Sequence, residues 1–399
     1  MKRAILARLN PDVRPAGEML LDKIPDSPAF EIFNLASKKQ AAGEKVYSLA
    51  IGEPSFDTPL PIVEAAYESM KSGGGHYSSS WGSKTLREAI VEKVRRKNSV
   101  NASLENVIFM TTKLSIYAAL LSLAKTNFEA LVPDPGYYYS EPVLLSGGKP
   151  VRYKLAPDFS LDLDAIESKI TPKTRVIIVN TPSNPAGKVF DRKSLKGLLE
   201  LCVERGIRVI SDEAYEDLVY EKRHVSLGSM EDAPKAVVSL FSLSKSFAMT
   251  GWRAGYVVAD GETILGINRF LETAVTCFPP FIQAASEFAL RNCERYTSEF
   301  REELRKRRAL LEEGLSEIPA LESQKVEGAF YGFPRFKAPL GSKEVARRLL
   351  NEHNVAVLPG VIFGLSGEGH LRISFGSPPE TIAEGTRRLK NFFKDDRLA

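Results

Sequence analysis

Four polar groups stand at the ends of apolar runs where a buried strand would otherwise carry aliphatic side chains. They are Asn184 in "NTPSNPAG" (180–187), Asp212 and Tyr215 in "SDEAY" (211–215), and Lys245 in "SLSK" (242–245). An amide, a carboxylate with a phenol, and an amine are thus aimed at one place. A lysine whose pKa is lowered by its surroundings forms a Schiff base with an aldehyde, and an aldehyde cofactor held that way needs a carboxylate to keep its ring nitrogen protonated. Asp212 is the candidate carboxylate. Such a cofactor also carries a phosphate. The Ser242 hydroxyl and Arg253 in "TGWRAG" suit it, the latter through a bidentate fork. The junction "MTTKLS" (110–115) adds the N–H groups of a helix N-terminus.

The elements that must position these groups follow from hydrophobic periodicity. From about residue 84 helix and strand patterns alternate. Helices are predicted over 83–97 and 191–206, the second with Leu195, Leu198, Leu199 and Cys202 on one stripe and Gly206 as its stop. "NVIFMT" (106–111), "ALVPDP", "TRVIIVN" (174–180), "IRVISDEAY" (207–215) and "AVVSLFSLSK" (236–245) read as strands, several of them continuous apolar runs of the kind buried on both faces. This order implies an α/β fold with a mostly parallel sheet and helices on both faces. Ligands then bind beyond the carboxyl ends of the strands. "RAGYVVA" follows Lys245 with too little chain for a crossover helix, so it is expected to be antiparallel. Beyond about 285, helical patterns over 284–314 and 342–353 enclose short strands, "GAFYGFP" and "HLRISF", as in a smaller α+β lobe.

"NTPSNPAG", "SDEAY" and "SLSKSFAMTGWRAGY", in this order and spacing, resemble the class I aminotransferases, pyridoxal phosphate enzymes of fold type I. The resemblance continues through "LAIGEPSFDTP", "PDPGYY", "CFPPFIQ" and "HLRISF" and covers nearly the whole chain. It implies a mostly parallel seven-stranded sheet flanked by helices plus a smaller α+β domain. The implied division is 1–50 as an N-terminal segment packing with the small domain, 51–284 as the large domain that binds pyridoxal 5'-phosphate, and 285–399 as the C-terminal small domain.

The same resemblance assigns roles. Lys245 is to anchor the cofactor and shuttle a proton, Asp212 to pair with the pyridinium nitrogen, and Asn184 and Tyr215 to hydrogen-bond the ring's 3′ oxygen. Tyr137 is to stack on the ring. Ser242, Arg253 and the backbone around Thr112 and Lys113 are to hold the phosphate, with Tyr77 reaching the phosphate of a neighbouring subunit, which implies a homodimer with shared active sites. Arg372 is to grip the substrate α-carboxylate with help from the backbone at Gly52. Strand alternation agrees, because Leu371, Ile373 and Phe375 take one face and leave Arg372 on the other. The stretch "IPDSPAF" (24–30) resembles a segment that closes over substrate. The chain departs from the family at Thr111 and Thr112, where small residues are usual and a β-branched side chain restricts close backbone approach. Either the threonine hydroxyls supply donors to the phosphate or the cofactor is held less tightly.

Partners follow from charge. With 54 basic and 50 acidic side chains the net charge is +4, which argues against nucleic acid or an anionic membrane. The basic run "REELRKRRALLEE" (301–313) reads as a solvated helix face. Cys202, Cys277 and Cys293 lack CxxC spacing and fit thiols in the cytoplasm, and four scattered histidines form no metal-ligand pattern. The expected reaction is ping-pong transfer of an amino group from aspartate or glutamate to a 2-oxo acid such as 2-oxoglutarate. Aromatic- or alanine-type transamination and a pyridoxal phosphate lyase on the same fold are the alternatives.

Overall fold

The computed structural model describes residue 24 and residues 28–394. Fourteen strands among them are numbered in chain order. After Tyr47–Ser48 (β1), seven form one sheet: Val107–Phe109 (β2), Glu129–Asp134 (β3), Lys149–Lys154 (β4), Thr174–Asn180 (β5), Arg208–Asp212 (β6), Val237–Ser242 (β7) and Gly255–Val258 (β8). Their order is β2-β8-β7-β6-β5-β3-β4. All run parallel except β8, antiparallel to both neighbours, as its short connection requires. The helices on the two faces follow the predicted periodicity. Lys84–Asn98 starts where the Ser83 hydroxyl accepts from the Leu86 N–H, and Arg192–Glu204 where Asp191 accepts from Ser194.

The smaller lobe holds Leu321–Glu322 (β9), Tyr331–Gly332 (β10), Arg335–Phe336 (β11), Val355–Ala356 (β12), Leu358–Pro359 (β13) and Leu371–Ser374 (β14). β14 lies between β10 and β13, antiparallel to each. The early chain joins this lobe: β1 pairs with β12, and Ala29, Ile32 and Leu49 share a core cluster with Leu349, Val355 and Ile382. Of the "IPDSPAF" segment, residues 25–27 lie outside the described residues.

Three expectations need correction. The strand expected to run through Lys245 stops at Ser242, because the Ser242 hydroxyl caps the one-turn helix Leu243–Ser246 by accepting from the Ser244 N–H. The boundary after 284 falls inside the helix Pro280–Asn292, whose Ala285, Ala289 and Leu290 are buried with the large-lobe core. We place the change of lobe at Cys293, where the expected single helix breaks and Glu294–Ser316 begins. Finally, the basic run is not simply a solvated face. Arg307 and Arg308 are buried, Arg307 stacked 4.6 Å from the Phe56 ring centroid and Arg308 at the same distance from Tyr220. Arg307 Nη1 donates to Ser55 Oγ, Gly376 O and Ser377 O at 2.8–3.0 Å, and Arg308 forks onto Glu221. A guanidinium can be buried this way because its stem and flat faces pack while its edge is hydrogen-bonded.

Candidate active site

The carboxyl ends of β5, β6 and β7 lie side by side, with Asn180 opposite Asp212 in the ladder. Asn180 braces the loop that follows it. Its Nδ2 donates to Asp212 O at 3.0 Å, and its Oδ1 accepts from the Asn184 N–H at 2.7 Å. That brace aims the Asn184 amide at Tyr215, whose hydroxyl accepts from Asn184 Nδ2 at 3.4 Å and meets the Tyr331 hydroxyl at 2.9 Å.

Asp212 is buried, and no ion pair reaches it among the described residues. Burial pushes its pKa up to about 6. A hydrogen bond from Tyr139 and the Ala214 N–H act in the opposite direction, and Glu213 adds to the rise. The Tyr139 hydroxyl donates to Asp212 Oδ2 at 2.7 Å, and burial followed by the Asp212 charge keeps that phenol protonated. Tyr139 was not among the expected site residues. Tyr137 lines the same cavity, 5.6 Å from the Tyr139 ring in a T-shaped contact.

Lys245 donates from Nζ to Gly52 O at 2.6 Å. Burial pulls its pKa down to about 8; Glu53 opposes the shift, while Arg372 and Arg253 reinforce it. An amine so poised is a nucleophile near neutral pH. Beyond it, the Arg253 guanidinium donates to Thr250 O and to Thr111 Oγ1, at 2.7 and 3.1 Å, beside the first turn of the helix Thr112–Leu123. The two threonines divide. Thr112 spends its proton on Phe241 O at 2.9 Å, whereas Thr111 accepts from Arg253. Gly255 makes the first contact possible, since a Cβ there would stand 2.7 Å from Thr112 Oγ1 and 2.6 Å from Phe241 O.

Arg372, 4 % exposed, donates to Asn184 Oδ1 at 3.1 Å and to Ala50 O at 2.6 Å, and lies 4.4 Å from the Tyr331 ring centroid. Its Nε is buried without a partner, and no carboxylate pairs with it among the described residues. Gly52 completes this corner, where a Cβ would come within 2.7 Å of the Tyr331 hydroxyl. Asp212, Lys245, Arg253 and Arg372 all line one cavity of about 410 Å³. Tyr77 is not among its lining residues; it is 88 % exposed in the loop before Ser83.

A buried carboxylate without a cation among the described residues, an amine of lowered pKa and a guanidinium beside a helix N-terminus suit a phosphorylated pyridine aldehyde. The family profile described as aminotransferase class I and II matches residues 44–389. The chain belongs to this family. Among its relatives, the aromatic-amino-acid aminotransferase 2 of Thermococcus litoralis is 37 % identical over 387 residues, covering 95 % of this chain and 98 % of that protein. The aspartate aminotransferase of Pyrococcus abyssi is 36 % identical with the same coverage. The solved structure of an aromatic aminotransferase from Pyrococcus horikoshii matches with a TM-score of 0.86 at 37 % identity, over 91 % of this chain and all of that one. The fold is therefore that of fold type I aminotransferases, and the cofactor of this aminotransferase is pyridoxal phosphate.

Proposed function

We propose that this aminotransferase moves an amino group between an aromatic L-amino acid and a 2-oxo acid through the cavity of Lys245, Asp212 and Arg372. The observation that carries this reading is the cavity's composition: a buried arginine without a carboxylate at one end, and Phe30, Phe33, Tyr117 and Leu358 among its walls. Those walls suit an aromatic ring. An aspartate or glutamate donor is the second reading, favoured by Lys113, an exposed ammonium that also lines the cavity and suits the distal carboxylate of a dicarboxylic partner such as 2-oxoglutarate.

Bound pyridoxal phosphate supplies the aldehyde and an electron-withdrawing ring. The chain's part is positioning and proton transfer. With the cofactor bound, Asp212 would supply the negative charge for the ring nitrogen, Asn184 and Tyr215 would supply hydrogen bonds to the ring hydroxyl, and Tyr137 would pack on the ring. Ser242, Arg253 and the N-terminal turn at Thr112 and Lys113 face the phosphate. Arg372, with the Gly52 backbone beside it, orients the α-carboxylate so that the Cα proton lies within reach of Lys245 Nζ. A pKa near 8 lets that amine take the proton and return it.

The protein is proposed to act as a homodimer. Leu60, Val63, Tyr67 and Met70 form one exposed apolar stripe on the helix Leu60–Lys71, and Tyr77 follows on the next loop. A second copy covering this stripe would bring its Tyr77 to the phosphate corner. A cytoplasmic location accords with three unpaired thiols, and no described helix is long and apolar enough to cross a membrane.

The test is to load the protein with pyridoxal phosphate and add single amino acids without an oxo acid. Loss of the visible band with stoichiometric release of an oxo acid is the expected result. Release of ammonia or CO₂ in its place would turn the assignment to a lyase.

A further inference from the structure

Glu141 lines the cavity, and neither cofactor nor α-carboxylate chemistry explains it. It stands in the first turn of the short helix Ser140–Leu145 and lines the cavity with Tyr117, Tyr138 and Phe33. Its Oε2 is shielded from solvent and has no hydrogen-bond partner among the described residues, and the Tyr138 hydroxyl shares that condition. Burial raises the pKa of the Tyr117 and Tyr138 hydroxyls, and the Glu141 charge adds to both rises. Arg152, which reaches the adjacent Ser140, spends its donors there and on Phe363, at 3.2 Å from Ser140 Oγ and 3.4 Å from Phe363 O. An acceptor oxygen thus lies on an aromatic wall without a hydrogen-bond partner among the described residues, and a ligand that brings a donor gains a charge-assisted bond.

We propose that Glu141 accepts a hydrogen bond from the far end of the donor's side chain and makes the enzyme select a hydroxylated aromatic amino acid, tyrosine, over phenylalanine. This rests on the reading of the cavity as an amino-acid site. Aromatic walls select the ring, and the carboxylate selects the hydroxyl. The exposed ammonium of Lys113 lines the same cavity, which disfavours a guanidinium relative to a neutral phenol. A site built to accept from a substrate hydroxyl discriminates against the analogue that lacks it, because its own polar atom is then left unpaired.

The experiment compares kcat/KM for L-tyrosine, L-phenylalanine and L-arginine in the holoenzyme, in Glu141→Gln and in Glu141→Leu. In parallel, calorimetry measures binding of 3-(4-hydroxyphenyl)propionate and 3-phenylpropionate to the cofactor-free protein. The native enzyme is expected to prefer tyrosine by about ten- to a hundredfold, the range for one hydrogen bond to a charged group. Glu141→Leu should bring the tyrosine-to-phenylalanine ratio of kcat/KM near one, and Glu141→Gln should fall between. The hydroxylated propionate should lose its binding advantage in the same variant. The visible band of the bound cofactor and a thermal melt serve as the controls for cofactor loading and folding. Equal use of tyrosine and phenylalanine by the native enzyme, or a preference that survives in Glu141→Leu, would overturn the proposal and leave the aminotransferase reading intact. Arginine outperforming tyrosine, with the advantage lost in Glu141→Leu, would reassign the pocket to cationic side chains. A native enzyme that no amino acid converts would sink both readings.

Discussion

Replacing Tyr139 with phenylalanine removes one oxygen, and with it the 2.7 Å hydrogen bond that holds Asp212 towards its ionised form. Hydrogen bonds to charged groups contribute about 1.5–3 kcal/mol, which is about one to two pKa units. The Asp212 carboxyl, already near 6 in the native protein, should rise to about 7–8. On the proposed role of Asp212 the ionised carboxylate holds pyridoxal phosphate, so the apparent affinity should fall by the fraction of apoprotein that carries a proton there. In the ionised apoprotein and in the complex the lost bond cancels, and the titration of Lys245 enters both proteins alike. At pH 6 the variant should therefore bind the cofactor about 5- to 50-fold more weakly than the native protein, and at pH 9 the two should agree. The assay is titration of apoprotein with pyridoxal phosphate, followed at the visible band from pH 6 to 9. A ratio of affinities that does not change with pH, or no loss at pH 6, would refute the reasoning.

The same group affects folding of the apoprotein. Its folded pKa lies above the unfolded value of about 3.9, so its cost is absent below about pH 4, grows towards about pH 6 and is constant beyond, reaching roughly 3 kcal/mol. Asp212→Asn apoprotein should accordingly lose this part of the pH dependence in thermal melts between pH 4 and 6. Lys245→Ala should lose amino-group transfer by at least about 10²–10⁴-fold, the usual worth of a positioned proton carrier, and its cofactor should be removable by dialysis. Arg372→Lys should raise KM for every donor tried by about ten- to a hundredfold whatever the side chain, since the fork that meets the α-carboxylate is lost. Gly255→Ala should weaken cofactor binding by forcing Thr112 from Phe241 O; equilibrium dialysis that showed undiminished binding would count against this account.

The sheet was legible because β5, β6 and β7 are apolar on both faces, so that Asn184, Asp212 and Lys245 stood out as polar groups at the ends of such runs. Arg372 was legible from the alternation of Leu371 and Ile373 about it. Tyr139 was not, because three consecutive tyrosines carry no periodicity, and only the turn after β3 decides which of them meets Asp212. Glu141 escaped for a related reason: nothing in the spacing of "YYYSEP" marks which side chain the turn after β3 brings to the cavity. Arg307 and Arg308 misled because charge patterning along a helix reports spacing, not what another segment places over the charge. Gly255 carries a signal that sequence could have given, a glycine inside a strand beside a threonine-rich junction.

Arg307 ties Ser55, Gly376 and Ser377 to one guanidinium. Ser55 lies three residues past Gly52, and Gly376 four past Arg372, so the backbone partner of Lys245 and the proposed clamp for the substrate are tied together by a residue outside the cavity lining. The grip on substrate is thus a property of a frame. A screen for variants with weakened carboxylate affinity but intact cofactor binding should return Arg307 alongside residues of the cavity itself.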